Sequence, residues 1–169
     1  MLIVRKGGIG EKRFTLPHES FYLFPGYLHQ RPELVSPEWR PVFADVLDRR
    51  EDPARPALSA FARIHAAHPI ADPEALEALD GEHILTPDYA AERLRWRRKH
   101  PLWAVVLRVW RVGDPPLLEV GPEHGGCVSW IDLPATIPPP GAMTPALDDE
   151  AFARAADRVE SILATGARR

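Results

Sequence analysis

The chain has 169 residues, 45% of them hydrophobic and 27% charged, with a formal net charge of −3, which fits one globular domain. No apolar run approaches the ~20 residues needed to cross a bilayer, and the opening MLIVRKGG is too short for a signal peptide. The acidic balance argues against a protein that tracks long duplexes. A single cysteine with no signal points to the reducing cytoplasm, without disulfides.

In chain order, MLIVRKGGI opens as a strand ended by Gly7-Gly8. GEKRFTLPHES is polar and turn-rich, and FYLF at 21–24 is a second short strand ended by Pro25-Gly26. The two strands are expected to form a hairpin. From Ser36 a helix starts with Pro37 and Glu38 behind its cap, and Trp39, Val42, Phe43, Val46 and Leu47 form one stripe. Residues 57–67, ALSAFARIHAA, alternate as a strand does, while their Ala content and the Leu58–Phe61–Ile64 spacing suit a helix equally.

PEALEALD at 73–80 predicts a short helix, and TPDYAAERLRWRRKH predicts another, capped by Thr86 and running to about Lys99. WAVVLRVWRV at 103–112 is β-branched, aromatic and apolar on both faces, the pattern of a central or barrel strand. PLLEV and CVSWIDL (127–133) read as further strands. Residues 134–147 are a Pro-rich connector. Residues 148–165 close the chain as an amphipathic helix capped by Asp148, with Phe152, Ala156, Val159 and Leu163 on the stripe that packs back onto the domain. The organisation is a single α+β domain over 1–133, succeeded by that connector and helix. The fold class is α+β with a mixed, mostly antiparallel curved sheet or small barrel and flanking helices.

Several constellations bear on chemistry. LIVRKGG … LFPG has the strand and Pro-Gly turn of a Nudix hydrolase, but no run of carboxylates comes after it to hold Mg²⁺, and that reading is rejected. Gly7, Gly8 and Gly10 lead to Phe14-Thr15-Leu16 rather than to a helix start, so no phosphate cradle forms; Arg5 and Lys6 can still meet an anion beside that turn. Cys127, three residues after His124, reads better as a small buried side chain than as a nucleophile. His65 and His68 could share a metal only on a helix, and neither a metal site nor a cofactor is expected. The basic run Arg93, Arg95, Arg97, Arg98, Lys99, with Trp96 interleaved, reads as a solvated helix end or as a phosphate-tracking edge. Arg108, between Val106 and Trp110 on one side of an apolar strand, is either an ion pair or a pocket residue.

RKGGI at 5–9, LFPGYLHQ at 23–30, LRVWRV at 107–112 and GGCVSWIDL at 125–133 together resemble a bacterial family, domain-of-unknown-function family eighteen-zero-two, over roughly residues 2–133. Members carry a helix and strand before this first motif, so the resemblance implies a shortened form or a mis-assigned start. It tips 57–67 toward strand, and the element order is similar to that of PUA and ASCH barrels, which bind RNA or modified bases. The family itself brings no established activity; by analogy with that architecture, the leading reading is a module that binds a nucleic-acid base or nucleotide, with RNA, DNA or a nucleotide as partner and no membrane. Arg5, Lys6 and Arg108 would meet phosphate or base edges, Tyr27 and Trp130 would stack, and His29, Gln30 and Ser129 would hydrogen-bond. Two alternatives stand beside it. One is a metal-dependent nuclease or phosphohydrolase using His29, Glu11 and Lys6, and the other is a structural or protein-interaction domain.

Overall fold

The computed structural model describes residues 1–6, 14–25, 31–48, 52–70, 72–96, 100–124 and 129–166. Five strands, β1 (Leu2–Arg5), β2 (Ser20–Tyr22), β3 (Ala60–Ile70), β4 (Leu102–Val112) and β5 (Met143–Pro145), form one antiparallel sheet. Among the described residues four α-helices accompany it: α1 (Arg40–Asp48), α2 (Pro73–Glu77), α3 (Pro87–Arg95) and α4 (Asp149–Gly166). The strand order is β1-β4-β3-β2. β3 pairs with β4 along nearly all of both strands, and β1 and β5 lie end to end on the other edge of β4, opposite Trp103–Val106 and Trp110–Val112.

This arrangement corrects one expectation and decides between two alternatives. β1 and β2 form no hairpin; they occupy opposite edges of the sheet. The sheet is therefore open and is not a barrel. The reason is ladder length: β3 and β4 each have eleven residues and pair along nearly all of them, leaving the short strands to the outer edges. Residues 57–67 resolve as strand from Ala60 onward. PLLEV joins no named strand. It runs beside 54–58 through the Ala57–Leu117 bridge and hydrogen bonds from Leu58 N to Pro116 O and from Leu118 N to Pro56 O.

Alternation along β4 builds two cores. On one face, Leu102, Ala104 and Val106 pack with Ile70, Ala75, Leu76, Leu79 and Ala90 and with the α4 stripe Ala156, Val159 and Leu163. On the other, Val105 and Leu107 pack with Phe14, Ala62, Phe21 and Trp103, under extended chain rather than helix. We call these the helix face and the loop face. A bulge between Ile64 and Ala66 leaves His65 as the extra residue. Its ring stands edge-on to Phe152 at 5.1 Å, with Nε2 3.4 Å from Glu160, so the bulge aims it at α4.

The helix caps match their sequence signals. The Asp72 carboxylate accepts from Glu74 N, the Thr86 hydroxyl from Tyr89 N, and the Asp148 carboxylate from Ala151 N. α1 differs: none of its residues is buried, and Val46 is 57% exposed. Its apolar stripe is not core.

Leu102→Ala, at a fully buried site, is expected to cost about 2–5 kcal/mol in urea unfolding, whereas Val46→Ala should stay within about 0.5 kcal/mol; similar losses for both would contradict the description of α1. His83, between α2 and α3, is 4% exposed, and neither ring nitrogen makes a hydrogen bond of ordinary geometry. Burial holds its pKa below the usual 6.5, outweighing the opposing pull of nearby backbone groups and Asp80. Below 6.5 the unfolded chain takes up a proton that the folded chain refuses, so stability falls with pH until the folded-state pKa is reached. Wild type should lose more stability than His83→Leu between about pH 7.5 and about pH 5; parallel curves for the two proteins would refute the assignment.

Candidate functional site

Arg5 ends β1 on the loop face, where its Nη2 donates to Ser129 Oγ at 2.7 Å. The Trp130 indole Nε1 donates to the Thr15 carbonyl at 2.8 Å. The same indole stands edge-on to Phe21 at 4.7 Å and to His18 at 5.7 Å. These contacts gather three separate sequence stretches: Arg5 and Thr15 flank the stretch that holds Gly7, Gly8 and Gly10, Phe21 precedes Pro25, and Ser129-Trp130 come just after Cys127. Glu11, Tyr27, His29, Gln30 and Cys127 lie outside the described residues. Residues 129–133 form no strand, contrary to expectation. Trp130 is held instead by a side-chain hydrogen bond and two ring contacts, none of which needs a backbone ladder.

Lys6 goes elsewhere. It is 3% exposed, and its Nζ donates to the Leu94 carbonyl in the last turn of α3 at 2.5 Å. An ammonium there offsets the negative end of the helix dipole. Burial lowers its pKa, and the Arg93 guanidinium adds to the effect. Neighbouring residues on a strand point to opposite faces, so Arg5 and Lys6 serve different sides of the sheet.

Arg108 is also on the helix face. Its Nη1 donates to the Asp148 carbonyl at 3.1 Å and its Nη2 to Asp149 Oδ1 at 2.7 Å, while the guanidinium lies 4.7 Å from the Phe152 ring centre. The arginine side chain is 11% exposed. The ion-pair reading therefore holds, and the pair fastens the start of α4 to the middle of β4. The sheet brings Arg5, Ser129 and Trp130 together and places Lys6 and Arg108 on its other side.

Among the described residues no group of three His, Cys, Asp or Glu is placed to hold a metal ion. His65 and His68 sit on a strand, not on the helix that shared coordination would require. His124 is buried, and its Nδ1 accepts from Gly121 N, a turn-stabilising bond. The Arg93 guanidinium covers the Trp96 ring at 4.5 Å.

Sequence reasoning missed one cluster. Tyr22, Phe61 and Trp110 stand in one cross-strand row on the helix face, and the adjacent row pairs Arg63 with Arg108. The signal was present: Phe-Ala-Arg at 61–63 and Arg-Val-Trp at 108–110 mirror each other, as an antiparallel register requires. Reading it needs the pairing, which neither segment contains alone.

Trp130→Phe keeps the ring contact with Phe21 and deletes the donor to Thr15. A loss of about 1 kcal/mol in denaturant unfolding is expected; an unchanged midpoint would mean that the indole N–H does not hold the stretches together.

No curated protein and no solved structure matches this chain significantly. One family model does, over residues 1–158, which takes in all five strands and the first half of α4. The gathered stretches at Arg5, Ser129 and Trp130 all fall inside that span, and the chain belongs to the family described as Domain of unknown function (DUF1802).

Proposed function

We propose that this protein is a binding module for a nucleic-acid base or nucleotide, with its ligand at the gathered stretches on the loop face. The observation that carries the reading is the Arg5–Ser129 contact with Trp130 beside it. A guanidinium, a hydroxyl and an indole from distant parts of the chain supply a charged fork, a hydrogen-bonding group and a stacking ring. Tyr27, His29 and Gln30, which come shortly after Pro25 in the sequence, are proposed as further ligand contacts. The partner is RNA, DNA or a free nucleotide, held locally rather than along a duplex, in keeping with a net charge of −3.

The hydrolase reading is weakened by Lys6, whose ammonium is committed to Leu94 on the far side of the sheet from Arg5. A protein-interaction role draws support from a different feature, the exposed Trp39, Val42 and Val46 in and beside α1.

Calorimetric titration with the four ribonucleoside monophosphates tests the base-binding reading. At least one should bind wild type, and Arg5→Met should weaken it about tenfold or more, the loss expected for a charge-assisted hydrogen bond. Wild-type protein that binds none of the four, or an Arg5→Met protein that binds equally well, would overturn the proposal. Shortening of a labelled single strand in the presence of a divalent metal would favour the hydrolase instead.

A further inference from the structure

The helix face is covered unevenly. Along β4, Leu102, Ala104 and Val106 are almost fully buried beneath the helices. Arg108 marks where α4 begins, and Trp110, two residues on, is only half-buried. Beyond α4 the sheet therefore presents the row Tyr22–Phe61–Trp110, all three rings half-buried. Tyr22 and Phe61 meet edge to face at 5.3 Å. The Arg63 and Arg108 guanidinium carbons lie 6.0 and 5.7 Å from the Trp110 ring centre.

The two arginines are in different states. Arg108 spends its charge on Asp149. Arg63 is exposed, and among the described residues no carboxylate pairs with it; its guanidinium lies over the Trp110 ring. A structural aromatic row would need no uncompensated cation at its edge. A surface that takes planar rings and a nearby negative charge would.

The row is bounded on two sides. The start of α4 closes one side through Arg108. On the other runs the Pro-rich segment, whose Pro138 carbonyl accepts from the Tyr22 hydroxyl at 3.0 Å and whose Ala142 carbonyl accepts from Gly113 N at 2.9 Å. From β2 to β5 is three interstrand steps, about 14 Å at roughly 4.8 Å each. Five extended residues span about 16 Å, so residues 138–143 can cross the end of the sheet nearly straight. What remains between the two borders is a strip one row wide, with Arg63 beside it.

We infer that this strip is a stacking surface for single-stranded nucleic acid, with Phe61 and Trp110 under successive bases and Arg63 at the phosphate. Aromatic rings on the open face of an antiparallel sheet can stack unpaired bases without reading sequence, and the guanidinium supplies the contact that makes binding salt-dependent. The inference stands on residues separate from Arg5, Ser129 and Trp130, and it extends the base-binding reading by naming a single strand as the partner.

The test uses the full chain and labelled single-stranded RNA and DNA of mixed sequence, about 12 nucleotides long, within the usual range of site sizes for such surfaces. Wild type should bind at low salt. Trp110→Leu should weaken binding about tenfold or more, and Arg63→Met should weaken it and lower the salt slope by about one. Because Arg63 is exposed and pairs with no carboxylate among the described residues, its variant keeps the fold intact where Trp110→Leu risks losing it; thermal melts of both check this. Arg5→Met should leave oligonucleotide binding at this strip measurable even where it abolishes binding of monophosphates, which separates the two sites. Three results would overturn the inference: no oligonucleotide binding by wild type, binding indifferent to both strip variants, or a proline-rich peptide seated on the strip with oligonucleotides excluded.

Discussion

The structure depends on the pairing of β3 with β4. These two strands satisfy each other's backbone over most of their length, and β4 offers its second edge to β1 and β5. The residues of β4 are apolar in both phases, so the strand must be covered on both faces. Leu102, Ala104 and Val106 supply one core, Val105 and Leu107 the other. Shifting that register by one residue would exchange the two sets and mispack both cores.

The two faces are closed by different means, and this difference places the candidate sites. α2, α3 and α4 cover one face with helix, whose own hydrogen bonds are complete and whose stripe is continuous. The loop face is closed by extended chain around Phe14, Leu16 and Trp130, which cannot satisfy its backbone alone and recruits side chains such as the Trp130 indole. Polar groups therefore gather at the rim of the loop face. On the helix face Arg108 and Arg63 stand where the cover by α4 stops.

The cations illustrate how burial sorts residues that look alike in a sequence. Arg5 and Lys6 are neighbours, yet one reaches Ser129 and the other caps α3 through the Leu94 carbonyl. Arg63 and Arg108 are directly opposed across β3 and β4. The carboxylate of Asp149 pairs with Arg108, and Arg63 lies exposed over Trp110.

Local chemistry was legible in the sequence. The caps at Thr86 and Asp148, the α4 stripe, the two-faced β4 and the α+β class all stem from interactions within a few residues, and these reappear in the structure. Four family stretches identified the chain's relatives. What the sequence alone left undetermined were questions of partnership: whether β1 meets β2, whether the α1 stripe faces core, which side of the sheet Arg108 serves, and whether 57–67 is strand or helix. Each is decided by which distant segment wins a shared edge or face. The long β3–β4 ladder took the centre and sent β1 and β2 to opposite edges, and only then did Phe61, Arg63, Arg108 and Trp110 become neighbours.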